Sequence, residues 1–404
     1  MISVNQAQRI VLKYAKPRHP RKMSLGDVLG LVLAKDISAA TELPSFTNSA
    51  MDGYALRSSD TKSASTGFPI SFRIAEYLPA GKIPTKKITA GTCAQIMTGA
   101  LLPQGADAVI PIEETEKKRD RMKIRMPVPC GANIRYRGED VKRGKILAKG
   151  TVIRPQEMAL LAALGCDRIS VCSRPTVAIL STGNELISHS ERPSIGKVRD
   201  SNSWVLEALL RTEGVCPKRL GIAKDSRQDL RKKIREGLRS DILLVAGGVS
   251  VGTHDLVKSV FEELGIQQLF WKVKMKPGKP VFVGSKGKTL VFGLPGNPAS
   301  GFVAFEIFVR PAIRGMAGRS DIFPVYHTAV AVHPLKHRKG KVDFLRGIVT
   351  KSKGGFLVRS AGRQGSHCFK SLCQANALIR LPENISRAVR GDKVDVLLLW
   401  GGSL

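Results

Sequence analysis

A chain of 404 residues is long for a single core, so two to four domains of ordinary size are expected. Hydrophobic residues make up 43% of it, yet no apolar run approaches the roughly 20 residues a membrane helix needs, which excludes a helical membrane span. A formal charge of +32 points to anionic partners, but with 5% aromatic residues and none interleaved in the basic runs at 116–125, 218–239 and 336–341, the pattern argues against a nucleic-acid face.

Residues 3–15 read as a helix, with Ser3 as cap and Val4, Ala7, Ile10, Val11 and Tyr14 on one stripe. No signal-peptide core is visible there, so a cytoplasmic protein is expected. A second helix is expected from Ser24-Leu25-Gly26-Asp27, which has capping-box spacing, through Val32. The stretch Pro44 to Ala55 (P-S-F-T-N-S-A-M-D-G-Y-A) breaks the periodicity and sets Asp52 beside a glycine, where backbone can approach a ligand closely. Residues 67–130 alternate short apolar runs with Gly and Pro turns, the pattern of a small inserted β-rich domain. Within it Thr98 ends a strand beside Gly99, as a buried turn threonine or a ligand contact. Arg135 and Asp140 in N-I-R-Y-R-G-E-D are expected either to pair with each other or to face a ligand. Pro155 then opens a helix that Gly165 ends, expected to pack on the N-terminal helices.

From Arg174 the texture changes to alternating strands and helices. Strands are expected at 176–180, 219–223, 242–245, 269–273 and 290–292, with helices at 202–212, 227–238, 255–264 and 299–316. Largely alternating βα units predict a three-layer α/β/α domain with a mostly parallel sheet and ligands at the carboxyl ends of its strands. The unusual residues fall there: S-T-G-N-E-L after the first strand, G-G-V-S-V-G with Asp255 after the third, K-P-G-K (276–279), and P-G-N-P-A-S (295–300). Glycines let N–H groups approach an anion, and Glu185, Asp241 or Asp255 are the candidate ligands for a divalent cation between phosphates. Lys276 and Lys279 converge on a Pro-Gly loop as a point-charge clamp for a dianion, while Pro298 opens a helix whose free N–H groups point outward. After Gly318 the alternation stops, and short strands separated by polar turns predict a C-terminal β-barrel or sandwich carrying Arg346 and R-Q-G-S-H (363–367). Seven cysteines and seven histidines are scattered without C-x-x-C or H-E-x-x-H spacing, so neither disulfides nor a tightly held transition metal is expected.

The ordered series P-x-F-x-x-S-A-M-D-G-Y-A, M-T-G-A-x-L-P-x-G-A-D-A-V, R-x-x-G-E-D, S-T-G-N-E-L, D-S-N, G-G-V-S-V-G-x-x-D, K-P-G-K-P, L-P-G-N-P-A-S and Q-G-S resembles the molybdopterin molybdenumtransferases, the MoeA and gephyrin E-domain family. The resemblance implies a discontinuous helical N-terminal domain (1–42 and 141–172), an inserted β domain (43–140), an α/β molybdopterin-binding domain (173–318) and a C-terminal β-barrel (319–404). It also implies a homodimer with the active site in the cleft between the sheet domain of one subunit and the inserted domain of the other. The implied activity is Mg²⁺-dependent insertion of molybdate into adenylylated molybdopterin with release of AMP, with the adenylyltransferase and other proteins of the pathway as partners. Catalytic positions would be Asp52, Thr98, Glu185, Lys276 and Lys279, and substrate contacts Arg135, Asp140, Ser250, Asn297, Ser300, Arg346 and Ser366. Metal ligands would come from Glu185, Asp241 and Asp255, with Asn184 standing where many relatives carry Asp. The competing readings are a related pterin adenylylation and a basic scaffold or nucleic-acid-binding protein.

Overall fold

The computed structural model describes residues 1–248, 256–337 and 339–399. Two of the predicted site residues, Ser250 and Asp255, lie outside the described residues. The chain divides into two compact units, one of Met1–Lys35, Gly150–Pro155 and Arg168–Leu404, the other of Asp36–Lys149 and Gln156–Asp167.

The first unit begins with helix α1 (Val4–Tyr14). Ser3 and Gln6 form a complete capping box, the Ser3 hydroxyl accepting from the Gln6 N–H and the Gln6 side chain accepting from the Ser3 N–H. Val4, Ala7 and Val11 are buried; each valine contributes about 1.5–3 kcal/mol by leaving water. The second expected helix does not form. One 3-10 turn, Leu25–Asp27, stands between the strands Pro20–Ser24 and Val32–Leu33, and Gly30 at φ +71° turns the chain out of any helical path. The Ser24 hydroxyl donates to Asp27 at 2.6 Å, so the capping signal is used to close a turn.

The sheet that follows has the order β2-β1-β3-β7-β6-β4: β1 (Val177–Thr182), β2 (Lys218–Ala223), β3 (Ile242–Ala246), β4 (Gln267–Trp271), β6 (Phe282–Lys286) and β7 (Thr289–Leu294), with β5 (Met275–Lys276) outside it. Neighbours from β2 to β7 run parallel, whereas β6 is antiparallel to both β7 and β4. The β6–β7 hairpin, turned at Gly287 (φ +57°), is absent from the sequence reading, although V-F-V-G-S-K-G-K-T carries a turn signal between two apolar runs. Successive residues alternate between two cores. Val177, Ile179, Ile242, Leu244 and Phe292 pack under α2 (Asn202–Thr212) and the helix over 298–316, while Ala178, Leu180, Leu243, Val245 and Val291 pack under α3 (Arg227–Gly237) and α4 (Leu256–Glu263). That alternation makes three layers, and the sheet is buried on both faces as a mostly parallel sheet must be.

The helix over 298–316 is α5 (Pro298–Ala304), a π turn at Phe305–Val309, and α6 (Arg310–Met316). Gln8 of α1 donates to the carbonyl of Ile307 at 3.1 Å, giving a partner to a group within the π turn. Among the described residues, five strands close the terminal barrel: β8 (Tyr326–Ala331), β9 (Val342–Ser352), β10 (Gly355–Ser360), β11 (Ala377–Leu381) and β12 (Lys393–Leu398). Closure comes from β9 pairing with both β10 and β11. β5 adds to its edge by pairing in parallel with the start of β9.

The second unit holds a six-stranded mixed sheet built from Gly53–Leu56, Ile70–Leu78, Thr92–Ile96, Ala108–Pro111, Glu116–Lys118 and Arg121–Ile124. Residues 156–167, which carry most of the helix Pro155–Ala163, belong to this unit. No helix among the described residues is long and apolar enough to cross a membrane.

Candidate functional site

The K-P-G-K loop hangs between two fixed points. The Lys272 N–H donates to Val281 and the Val273 N–H to Lys279, at 3.1 and 3.0 Å, closing the loop from behind. β5 then holds Lys276 in register with Asp343. Gly278 sits at φ +96°, and a Cβ there would lie 3.4 Å from the Ser300 carbonyl and 3.2 Å from Met275 Cε. The loop therefore lies against the first turn of α5, and glycine is needed both for its φ and for that approach. Lys276 is exposed and Lys279 half-exposed, and among the described residues neither has a carboxylate within ion-pair distance.

Asn297 is the N-cap of α5 through its backbone: its carbonyl accepts from the N–H groups of Ser300 and Gly301, both at 3.0 Å, and its side chain caps nothing. Pro298 occupies the first helical turn, as its missing N–H permits. The Ala299 N–H donates to the Ser366 carbonyl at 3.1 Å, which brings the barrel's Q-G-S loop onto the same helix end. Ser300 is buried, and its hydroxyl has no hydrogen bond among the described residues.

Arg346 arranges that loop. It is the largest fully buried side chain, 0% exposed. Its Nη2 donates to the carbonyls of Arg363 and Gly365 at 3.1 and 2.9 Å and to Ser371 Oγ at 3.3 Å. Gln364 returns the contact twice, accepting from the Arg346 N–H at 2.9 Å and donating to its carbonyl at 3.0 Å. Burial pulls the pKa of the guanidinium below its ordinary value, and Nη1 is left buried with no hydrogen-bond partner. A buried donor of that kind is costly unless something accepts from it. Sequence reasoning named Arg346 as a pocket residue but missed its role as the strap of the 363–366 loop, and gave Gln364 no role. The Q-G-S motif is the signal that points there.

A second cluster lies at the carboxyl ends of β1 and β3. Gly183 has φ +144°, and a Cβ there would collide with the Glu185 carboxylate, which folds back over it. Glu185 is exposed and unpaired among the described residues. Asn184 and Asp225 clasp each other, the Asn184 N–H donating to Asp225 at 3.0 Å and the Asp225 N–H to Asn184 Oδ1 at 3.1 Å. Among the described residues the hydroxyls of Ser181 and Thr182 and Oδ1 of Asn202 are buried without hydrogen-bond partners, while Asn202 Nδ2 donates to the Gly296 carbonyl at 2.7 Å. These orphaned groups suit a polar ligand in the crevice where the strand order reverses, between β1 and β3. Asn202 was read only as a helix start.

Asp241 does not belong to that end. It precedes β3, accepts from the Thr176 N–H at 2.7 Å and pairs with Arg18. The five residues of β3, at about 3.3 Å each, separate it from the glycines that follow the strand, so it cannot share an ion with Glu185. The described residues contain no group of three or more His, Cys, Asp or Glu side chains placed to hold a metal.

In the second unit, Asp52 accepts from the Thr98 N–H at 2.6 Å and from its hydroxyl at 2.7 Å. These two donors, the backbone one first, hold the Asp52 pKa below the usual carboxylate range. Both residues are exposed, so Thr98 is not the buried turn residue allowed for by its sequence. Arg135 and Asp140 are exposed and do not pair; the ion pair of that loop is Arg137 with Glu42 at 2.6 Å.

Three family signatures match in order: the MoeA N-terminal region (domain I and II) at residues 2–165, a "Probable molybdopterin binding domain" at 178–315, and the MoeA C-terminal region (domain IV) at 328–399. A Mycobacterium tuberculosis protein, molybdopterin molybdenumtransferase 2, is 36% identical over 405 residues, covering 98% of this chain and 99% of its own. The chain belongs to the molybdopterin molybdenumtransferase family. A second member, from Bacillus subtilis (strain 168), is 35% identical over 404 residues, covering 98% of this chain and 94% of its own. The crystal structure of the molybdopterin biosynthesis moeA protein from Pyrococcus horikoshii OT3 superposes with a TM-score of 0.83 at 30% identity, over 99% of this chain and 100% of that one. The family's multidomain architecture, with its mostly parallel sheet and terminal barrel, is thus present in this chain.

Proposed function

We propose that this chain inserts molybdate into adenylylated molybdopterin, releasing AMP, as a cytoplasmic homodimer that works beside the adenylyltransferase of the same pathway. What supports the reading is uncompensated positive charge on loops that meet at one helix end: among the described residues Lys276 and Lys279 have no carboxylate partner, Arg346 Nη1 is buried without an acceptor, and the Ser300 hydroxyl at that helix end makes no hydrogen bond. A tetrahedral dianion supplies acceptors for all of them. Asn297 and Ser366 shape the same corner from the helix end and the barrel loop. The crevice between β1 and β3, with Ser181, Thr182 and Asn202, takes the phosphorylated pterin.

The residues fit a magnesium ion bound mostly by substrate phosphates, because Glu185 is a free carboxylate beside that crevice and Mg²⁺ keeps few protein ligands. When bound, the ion neutralises charge on the phosphoanhydride. The lysines hold molybdate so that one of its oxygens, or a water, can attack phosphorus while AMP departs. Where a molybdate oxygen attacked, a water then cleaves the Mo–O–P link; the two dithiolene thiols displace one molybdate oxygen as water and ligate molybdenum, so no Cys or His cluster is required of the protein. Asp52, kept ionised by Thr98, is assigned to the same reaction, together with Arg135 and Asp140.

Purified chain, adenylylated molybdopterin, molybdate and Mg²⁺ are expected to yield AMP and molybdenum cofactor. Lys279→Ala and Asp52→Ala are expected to abolish the product without unfolding the protein. Full activity in both variants would refute the site.

A further inference from the structure

The barrel holds a buried ionisable pair that the reading above leaves unused. The side chains of His337 and Asp343 are 0% and 1% exposed, with Nδ1 of the histidine 3.1 Å from Oδ2 of the aspartate. His337 Nε2 lies 2.9 Å from the Pro382 carbonyl. A carbonyl only accepts, so Nε2 carries a hydrogen. Nδ1 then faces the carboxylate in a site closed to water, where each group is costly to bury without the other. Among the described residues neither Asp343 oxygen nor His337 Nδ1 has a hydrogen-bond partner, so the ion-pair contact is what holds the two groups to each other. Of the charged groups on adjoining elements, Lys276 is opposite in register on β5, Arg380 of β11 pairs with Asp395, and Glu383 follows Pro382. His337 is the only basic side chain within ion-pair distance of Asp343 among the described residues.

Asp343 is also where the K-P-G-K loop is hung. It is the register partner of Lys276, and the Val342 N–H beside it donates to the Lys274 carbonyl at 3.0 Å. Three residues further along the same strand stands Arg346. We propose that His337 and Asp343 are a positioning pair: their contact pins the start of β9 to the segment before it and to Pro382, and the two-residue β5–β9 ladder passes that position to Lys276. The spacing between the lysine clamp and the Arg346 guanidinium is set by this pair, although neither residue touches the anion. The choice of anion rests on the function proposed above.

The test uses the full-length chain. Calorimetry with molybdate alone is expected to give a Kd raised about tenfold in Asp343→Asn and in His337→Gln, a displaced charge-assisted contact being enough for that. The KM for molybdate should rise by the same factor, while kcat and the KM for the pterin stay near wild type, a split that a general loss of folded protein would not produce. The double variant His337→Leu/Asp343→Leu, which removes both charges and keeps an apolar filling, is expected to restore the molybdate Kd to within about threefold. A double variant that binds molybdate no better than the single variants overturns the pair. Unmoved molybdate Kd and KM in folded single variants overturn the role alone. A wild type that binds no molybdate sinks the proposed function and this role with it.

Discussion

Arg346→Lys keeps the charge and removes the fork, which makes it the sharpest probe of the corner proposed to take the anion. The guanidinium donates from one nitrogen to the carbonyls of Arg363 and Gly365 and to Ser371, in a site with 0% exposure. A lysine ammonium cannot span these acceptors and also supply a second nitrogen. Hydrogen bonds to a charged group contribute about 1.5–3 kcal/mol each, and a buried acceptor left without a donor costs about 1–3 kcal/mol. Losing one such bond and stranding one carbonyl gives about 2.5–6 kcal/mol, a large share of the roughly 5–15 kcal/mol that stabilises a folded protein. Urea denaturation should show that loss as a lower midpoint. Because Nη1 disappears and the Ser366 loop loosens, calorimetry should show molybdate binding weakened by at least about tenfold. A stability loss under about 1 kcal/mol with unchanged molybdate affinity would show that the loop is held elsewhere and that Nη1 does not face the anion.

Thr98→Ala removes the hydroxyl that helps hold Asp52 ionised. Asp52 has a depressed pKa in the folded chain, so its ionised form is lost only as pH falls through that lowered value; the variant should move the acid limb of kcat/KM to higher pH. Glu185→Gln should raise the magnesium concentration needed for half-maximal AMP release, whereas Asp241→Asn should leave it unchanged, because Asp241 ties Thr176 and Arg18 at the other end of the sheet. Glu213 accepts from Arg314 at 3.0 Å and pairs with Arg310, with its side chain 4% exposed. Glu213→Gln should cost about 3–5 kcal/mol in denaturation experiments by stranding buried guanidinium charge. Glu76 is a carboxylate that burial would push up, yet donors from Lys82, Thr85 and Lys86 hold it down to about 2. Its contribution to stability is present above the usual carboxylate range and is lost as pH falls toward about 2, so Glu76→Gln should flatten the melting temperature across that acid window.

The sequence by itself determined what depends on neighbours along the chain. The Ser3 cap with Gln6, the βα alternation after Arg174, and the glycines and Pro298 at strand and helix ends were all legible, because hydrophobic period, capping and φ requirements are local properties. Locality also explains the errors. Ser24 and Asp27 have capping spacing, but the chain on both sides is drawn into strands paired with Arg168–Cys172, a competition that a short window does not contain. Asp241 and Glu185 are both acidic residues at strand termini, and only the direction of β3 in the sheet puts them at opposite ends. The tertiary structure alone decided that the K-P-G-K loop, the first turn of α5 and the Q-G-S loop share one corner, and that Arg346 is a buried strap. Those contacts join residues far apart in the chain, and their positions follow from barrel closure and strand register, which no spacing in the sequence encodes.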